Sequence, residues 1–517
     1  MVSLARSLQT VLDAPAPSKL SSTLIDQYQD CVSRNASAFD AIAISSSESS
    51  EIRAVKTTNA LFLLFNPRVI TPSSSTYTQA QQQNWSTTCW LPAACIVKLH
   101  NTLEVALALK IVTFFQCKFA VRGAGHNSNP GCSSVGKDGV LLDLSEMNEV
   151  VLSDDREVAS IGPGATWDGV YEVLEKDEKT VVGGRASGVG VGGLVTGGGM
   201  SHFSNCWGMV CDNVKSFEVV LADSSIVQAN AKANVDLFKA LKGGQLNFGI
   251  VTRFDLQTFS DFHVWYTFRV YSAADIKQVM DATVKVQHSM EKDDRIGLFL
   301  SINPGFLVAG LLYKGQVSGT PSAFKVFDDI APMAVPLPET QGTQFSVAKA
   351  STMAEKKKRE TGVASVRVDA DVYLELHKKL QEIAADSPFT LVFTIQPIGP
   401  AAVEKGKAQG GNCMNIPSEP HSFLGIMVEW TDDKDDGAAR AKIRELIKTI
   451  EDTTRERGLL LDFMFMNDAG PIQSPLKSYG EEMVGFLQGQ SKKWDPEGVF
   501  QKLQNGGHLL SRLDVAG

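Results

Sequence analysis

Nine of the seventeen residues from Gly183 to Gly199 are glycine, and no other feature of the chain restricts its fold so strongly. Glycine is unfavourable inside helices and strands, where it gives up the most backbone freedom on folding. A run this dense predicts turns and main chain that comes close to another surface or to a ligand. Gly123 and Gly125, just before His126, form a second such spot, and Gly243, Gly244 and Gly249 a third. Three bare stretches along about 130 residues predict one extended ligand lined by backbone amides.

A different reading of the run has to be weighed. Gly188-Val-Gly-Val-Gly-Gly193 satisfies GxGxxG, and Asp212 follows at about the spacing of the acidic residue in a dinucleotide fold. That fold needs a helix opening at the loop. Gly197, Gly198 and Gly199 stand where the helix would run and would break it. A Rossmann-type site is set aside on that ground.

The charge balance excludes other classes. The 517 residues carry a formal net charge of -9, with a pI of about 5.5 and no dense basic stripe. Phosphate-backbone binding needs clustered Lys and Arg, so no nucleic-acid partner is expected. No stretch reaches the ~18 apolar residues of a bilayer span. The first twenty residues lack an apolar signal-peptide core and read as a short amphipathic helix, so a cytoplasmic location is expected. The cysteines at 31, 89, 95, 117, 132, 206, 211 and 413 contain no CxxC pair. They are expected as free thiols, with no metal site. Asn35-Ala-Ser and Asn84-Trp-Ser match the glycosylation sequon, a pattern that is common by chance.

Along the chain, residues 1–85 look like an N-terminal arm with a serine patch at 45–50 and a Ser/Thr/Gln-rich stretch at 71–88. Residues 53–68 are apolar between polar flanks and read as a buried strand or as an artefact of the gene model. Short strands are predicted at 95–99, 118–121, 140–144, 157–161 and 248–254, with helices at 102–115, 166–174 behind a Thr166 cap, and 235–241. Residues 217–221 and 225–229 form a predicted hairpin around Asp223-Ser224. Beyond residue 260, strand-like runs at 264–270, 296–302, 307–313, 391–396 and 424–429 alternate with helix-like runs at 273–286, 372–384 and 438–451. That alternation predicts a second domain with one sheet and covering helices.

Arg122-Gly-Ala-Gly-His126 resembles the RxGGH loop of the berberine bridge enzyme-like flavoproteins, within the FAD-linked oxidases that share the PCMH-type, or vanillyl-alcohol-oxidase, FAD-binding domain. The order of the surrounding segments agrees. CKFAVRGAGHNSNPG is followed by GVLLDLSEMNEV, VGGRASGVGVGGLVTGGGMSHFSNCWGMVCDNVKSFEVVLAD and DLFKALKGGQLNFGIVTRFDL, and the chain closes with SYGEEMVGFLQGQSKKWDPEGVFQKLQNGGHLL. The resemblance covers about residues 85–260 and 456–517 and is closest to fungal secondary-metabolite members. It implies an α+β fold. A PCMH-type FAD-binding domain of two α/β subdomains (86–260) would be followed by a substrate domain with an antiparallel sheet covered by helices (261–455). A C-terminal segment (456–517) would return to the FAD domain.

The same resemblance implies FAD bonded through His126 to the 8α-methyl of the flavin. Relatives often carry a second tether on a cysteine, whose place Ala186 takes here, so no cysteinyl bond is expected. Arg122, Gly123, Ala124, Gly125, Asn127 and Ser128 would form the pyrophosphate loop, with Ala124 replacing the usual glycine. Gly188, Gly190, Gly192, Gly193 and Gly198 would line the other side of the cofactor. Asp212, Asn213, Val214, Gly249, Ile250 and Val251 would pack near its adenine–ribose and ring portions. Gln245-Leu246 departs from the glycine or small polar residues of relatives, and His202, Cys206 and Met209 from aromatic or small ones.

For catalysis, relatives that oxidise sugars use a tyrosine in an NYxD-like segment. Here the chain reads Phe465-Met-Asn467-Asp468, without tyrosine. Glu429, Tyr313, Asp468 and His202 are the candidates for proton transfer. The expected protein is a monomeric oxidase of a small organic substrate, with O2 reoxidising the flavin to give H2O2. A flavin-dependent cyclase or isomerase, and a non-catalytic flavin-binding protein, stay open beside it.

Overall fold

A computed structural model describes residues 3–15, 21–42, 45, 47–352, 355–385 and 387–513. Residues 16–20 of the N-terminal stretch and Ser46 of the serine patch lie outside the described residues. Three sheets organise the rest.

The first sheet has the order Val69–Ile70, Cys95–Lys98, Gly139–Asp143, Lys118–Arg122, parallel except for its first pair. Parallel strands need a crossover. Helix Thr102–Phe114 supplies it, capped by Asn101, whose side chain accepts from the Glu104 amide. The helix is buried nearly all round, as a core helix rather than an amphipathic one. The segment expected as an arm packs into this same core as helices: Leu4, Leu8, Val11 and Leu12 are buried against it. Residues 53–68 are not a strand. They form most of helix Ser50–Phe65, which buries Ala54, Thr57, Ala60, Leu61, Leu64 and Phe65. Their spacing of three and four is helical, and a strand would have buried alternate residues.

The second sheet pairs Val150–Leu152, Val158–Ile161, Ile250–Phe259, Val214–Val220 and Ile226–Asn230 in that order, all antiparallel. The predicted hairpin is its last pair, with Ser224 in the left-handed region at the turn. Helix Trp167–Glu175 starts where expected, but the Thr166 side chain makes no cap hydrogen bond to the backbone.

The third sheet is the substrate domain, eight antiparallel strands from Ala334–Thr343 at one edge to Leu460–Leu461 at the other. Helices Ile276–Met290, Ala370–Ala385 and Asp436–Glu456 cover one face and share its core. Sequence periodicity misses three of its strands, the two-residue Leu460–Leu461 and two longer ones. Ala334–Thr343 is mostly exposed and carries two prolines, as an edge strand can, so it has no alternation to read. Lys358–Arg367 opens on charged residues that the fold pairs. After this sheet the chain returns to the first. The Phe119 amide donates to the Leu503 carbonyl, and the Asn505 amide to the Phe119 carbonyl. No helix among the described residues is long and apolar enough to cross a membrane.

Candidate functional site

Strand Lys118–Arg122 delivers its loop into a cleft between the first two sheets and the bare face of the third. Arg122 is 1% exposed and fixed by Asp143 (2.6 Å) and the Asn84 side-chain oxygen (3.1 Å). Asn84 is itself fully buried, so its sequon serves this anchor. The amides of Gly123, Ala124 and Gly125 donate to no acceptor among the described residues. Ala124 is accommodated because its neighbour is bare: a Cβ on Gly190 would lie 2.8 Å from the Ala124 methyl. His126 follows, its ring stacked on Trp85 at 4.4 Å between centroids and 12° between planes. Burial, with the charges of Arg359 and Lys356, pushes its pKa down to about 4, so the imidazole is neutral at neutral pH.

The glycine run forms the facing wall. A helix does open after Gly190, but it covers only Val191–Thr196 before the glycine triplet ends it. Asn467 seals that end. Its amide nitrogen donates to the Gly193 and Leu194 carbonyls (3.2 and 3.3 Å) and its oxygen accepts from the Gly199 amide (2.9 Å). A Cβ on Gly197 would stand 2.4 Å from that side-chain nitrogen. Gly193 is different. It lines the cleft, and a Cβ there would meet no protein atom within 4 Å. Its bareness serves the space in front of it rather than packing.

The cleft encloses about 310 Å³. Of the predicted cofactor residues it gathers Gly123, Ala124, Gly125, His126, Asn127, Gly190, Gly192, Gly193, Ile250 and Val251 along its walls, together with Gln245, Leu246 and Ala186. The others stand back. Ser128 faces Thr361 (3.2 Å) at the substrate-domain junction, and Gly188 donates its amide to Asp168 (3.0 Å). Gly198 packs on Met414 and Gly249 on Val219. Asp212 holds the Met209 amide and the Asn412 side chain (2.9 Å each), Asn213 bonds the Trp207 and Met209 carbonyls, and Val214 is core. These three brace the wall from behind.

Among the four candidates for proton transfer, Asp468 alone lines the cleft. Its carboxylate accepts from Gln396 (2.7 Å), and Gln396 accepts in turn from Arg185. Burial raises the Asp468 pKa, against the Arg185 charge and the Gln396 hydrogen bond. His202 lies behind Arg185, in a separate small cavity, stacked on Phe299 at 6.0 Å. Burial and the Arg185 charge push its pKa down to about 3. Glu429 is ion-paired to Arg359 (2.5 Å), its register partner on the next strand. Tyr313 donates to Asp293 (2.6 Å) in an outer recess of the substrate domain, because the odd–even register of its strand turns it to the helix-covered face. Sequence reasoning missed Arg185, Gln396 and Trp85. The first two had a signal: Arg185 is the one charge within the glycine run, and Gln396 the one amide side chain in a largely apolar strand.

Residues 93–230 match the family model described as FAD binding domain. The FAD-dependent monooxygenase macF of Penicillium terrestre is 33% identical over 457 residues, which cover 87% of this chain and 88% of that one. The chain belongs to the PCMH-type FAD-dependent oxidoreductases. Another fungal relative, the bifunctional solanapyrone synthase of Alternaria solani, is 32% identical over 449 residues, 86% of each chain. Among solved structures, 6-hydroxy-D-nicotine oxidase from Arthrobacter nicotinovorans shares the fold, with a TM-score of 0.73 over 86% of this chain and 97% of that one at 17% identity. This PCMH-type enzyme is thus an FAD-dependent oxidoreductase acting on an organic substrate, with an α+β FAD-binding fold and a separate substrate domain. Its residues fit the cofactor. Unpartnered loop amides at Gly123–Gly125 suit phosphate oxygens, and the open space before Gly193 suits a flat group lying against main chain.

Proposed function

We propose that this PCMH-type enzyme is an oxidase of a small secondary metabolite, with FAD held covalently through His126 alone. His126 brings a neutral ring nitrogen to the cleft, and Ala186 offers only a methyl group where relatives carry a cysteine. Bound FAD supplies a hydride acceptor at N5 and a route for the electrons to O2, which leaves as H2O2.

The chain's own residues do the rest. One observation carries the assignment: Asp468 is a buried carboxyl facing the cleft, and its raised pKa suits a base that must take a proton from a hydroxyl or amine. Gln396 fixes its rotamer, and the Arg185 charge favours the unprotonated carboxylate that the base role needs. Phe465, stacked on Phe423 at 4.8 Å, gives the substrate an apolar wall and keeps water out.

The fungal relative macF, an FAD-dependent monooxygenase, favours a second reading, oxygen insertion at the same site. Product mass separates the outcomes. Small alcohols and amines are incubated with the enzyme in air, with peroxide and product followed together. Oxidation predicts loss of two hydrogens and one H2O2 per turnover. A gain of one oxygen without peroxide, or an unchanged mass, replaces it with monooxygenation or redox-neutral cyclisation.

A further inference from the structure

The imidazole of His126 is built into a stack that reaches across the domain boundary. Trp85 lies under it at 4.4 Å, and the Trp85 amide donates to the Gly125 carbonyl (3.0 Å), so one residue holds both the ring and the loop before it. The guanidinium of Arg359 also sits over the Trp85 ring, 4.1 Å from its centroid, and donates to the Trp85 carbonyl (3.3 Å). Arg359 belongs to the substrate-domain strand Lys358–Arg367 and is held there by Glu429. The neighbouring backbone is stitched to the same segment. Lys356 donates to the Gln83 and Asn84 carbonyls (2.9 and 3.1 Å), the Thr87 amide to the Lys357 carbonyl (2.9 Å), and the Arg359 amide to Ser86 (3.0 Å).

Packing alone does not require this arrangement. A tryptophan under a histidine needs no cation from another domain to stay buried. Here the charges of Arg359 and Lys356 face the one imidazole that must keep a lone pair free to bond carbon. Arg122 is turned away to Asp143, and Glu429 is spent on Arg359.

We propose that Trp85, gripped by Arg359 and flanked by main chain that Lys356 holds, is the positioning residue for covalent flavin attachment, and that attachment follows docking of the substrate domain against residues 83–88. The proposal rests on attachment at His126. In that step a C–N bond forms between an imidazole nitrogen and the flavin 8α-carbon. One methyl C–H and the imidazole N–H break, and the two protons and two electrons released are taken by dioxygen as H2O2. Trp85 holds the ring in one orientation while the bond forms, and the two cations disfavour the imidazolium, which has no lone pair to give.

The test uses full-length protein from riboflavin-starved cells, given FAD in air, with acid-insoluble flavin followed over time. Trp85→Phe keeps a stacking ring and is expected to attach flavin at the wild-type rate. Trp85→Leu fills the space without a ring and is expected to slow attachment by about 3- to 10-fold, the worth of one aromatic stack expressed as a rate, with total bound FAD unchanged. In Arg359→Gln a cation is lost, the imidazole pKa rises, and the low-pH fall-off of the attachment rate moves to higher pH. Equal rates for the Phe and Leu variants overturn the role of Trp85. If the Leu variant does not fold, an Arg359→Gln pH profile superimposable on wild type overturns the proposal by itself. Wild-type protein that never forms acid-insoluble flavin refutes attachment at His126 instead, so the two failures are distinct.

Discussion

Asp468→Asn is expected to lower the rate of flavin reduction by substrate by about 10²- to 10⁴-fold, the usual contribution of a positioned base, while FAD content stays at the wild-type level. Asparagine matches the carboxylate in shape and still accepts a hydrogen bond from Gln396, so the cleft keeps its form. What it loses is the ability to take a proton. The pH dependence follows from the raised pKa of Asp468. Below that pKa the carboxyl is protonated and inactive as a base, so the wild-type rate climbs as pH rises through it. In the Asn variant this limb disappears and the residual rate is flat. Anaerobic stopped-flow bleaching measures the step directly. An Asn variant that bleaches as fast as wild type would remove Asp468 from the chemistry and leave Arg185 as the only charged side chain lining the cleft besides it, among the described residues.

Gly193→Leu is expected to yield folded protein with at least about tenfold less bound FAD, equivalent to ~1.4 kcal/mol or more of lost affinity. The new side chain meets no protein atom at its Cβ, so the fold has no reason to resist it. It instead occupies the space that the cofactor needs. Position 193 precedes Asn467's second carbonyl partner, and both of those hydrogen bonds are to main chain that the substitution leaves in place. Gly197→Leu is the contrast, since its side chain would run into Asn467 and destabilise the apoprotein itself. Visible absorbance read beside a thermal melt separates the two cases. A Gly193→Leu protein with wild-type yellow colour would place the cofactor away from the glycine wall.

How much of this was legible beforehand depends on whether a signal is local. Glycine density announces close approach whatever the tertiary partner, so the loop before His126 and the run facing it were readable as one ligand site. The hairpin of residues 217–221 and 225–229 is readable because its turn and alternation lie within a few residues. Residues 53–68 do not announce their helix, because a short apolar run without clear alternation does not distinguish a strand from one face of a helix; the capping Ser49 is its local sign. Asp212–Val214 sit among cleft motifs in sequence but turn their side chains into the brace behind the wall, and sequence distance carries no information about which side of a wall a residue serves. The polar group opposite the flavin loop is assembled from Arg185, Gln396 and Asp468, which lie in three separate regions of the chain. Only the substrate-domain sheet, closing over the FAD-binding domain, brings them together.

The central claim is a flavin bound in this cleft and bonded to His126. Acid precipitation of the purified protein tests it most directly. The account predicts a yellow pellet over a colourless supernatant for the wild type, and for His126→Ala a colourless pellet with any bound flavin released to the supernatant. A wild-type pellet without colour, or a His126→Ala pellet as yellow as the wild type, would contradict it.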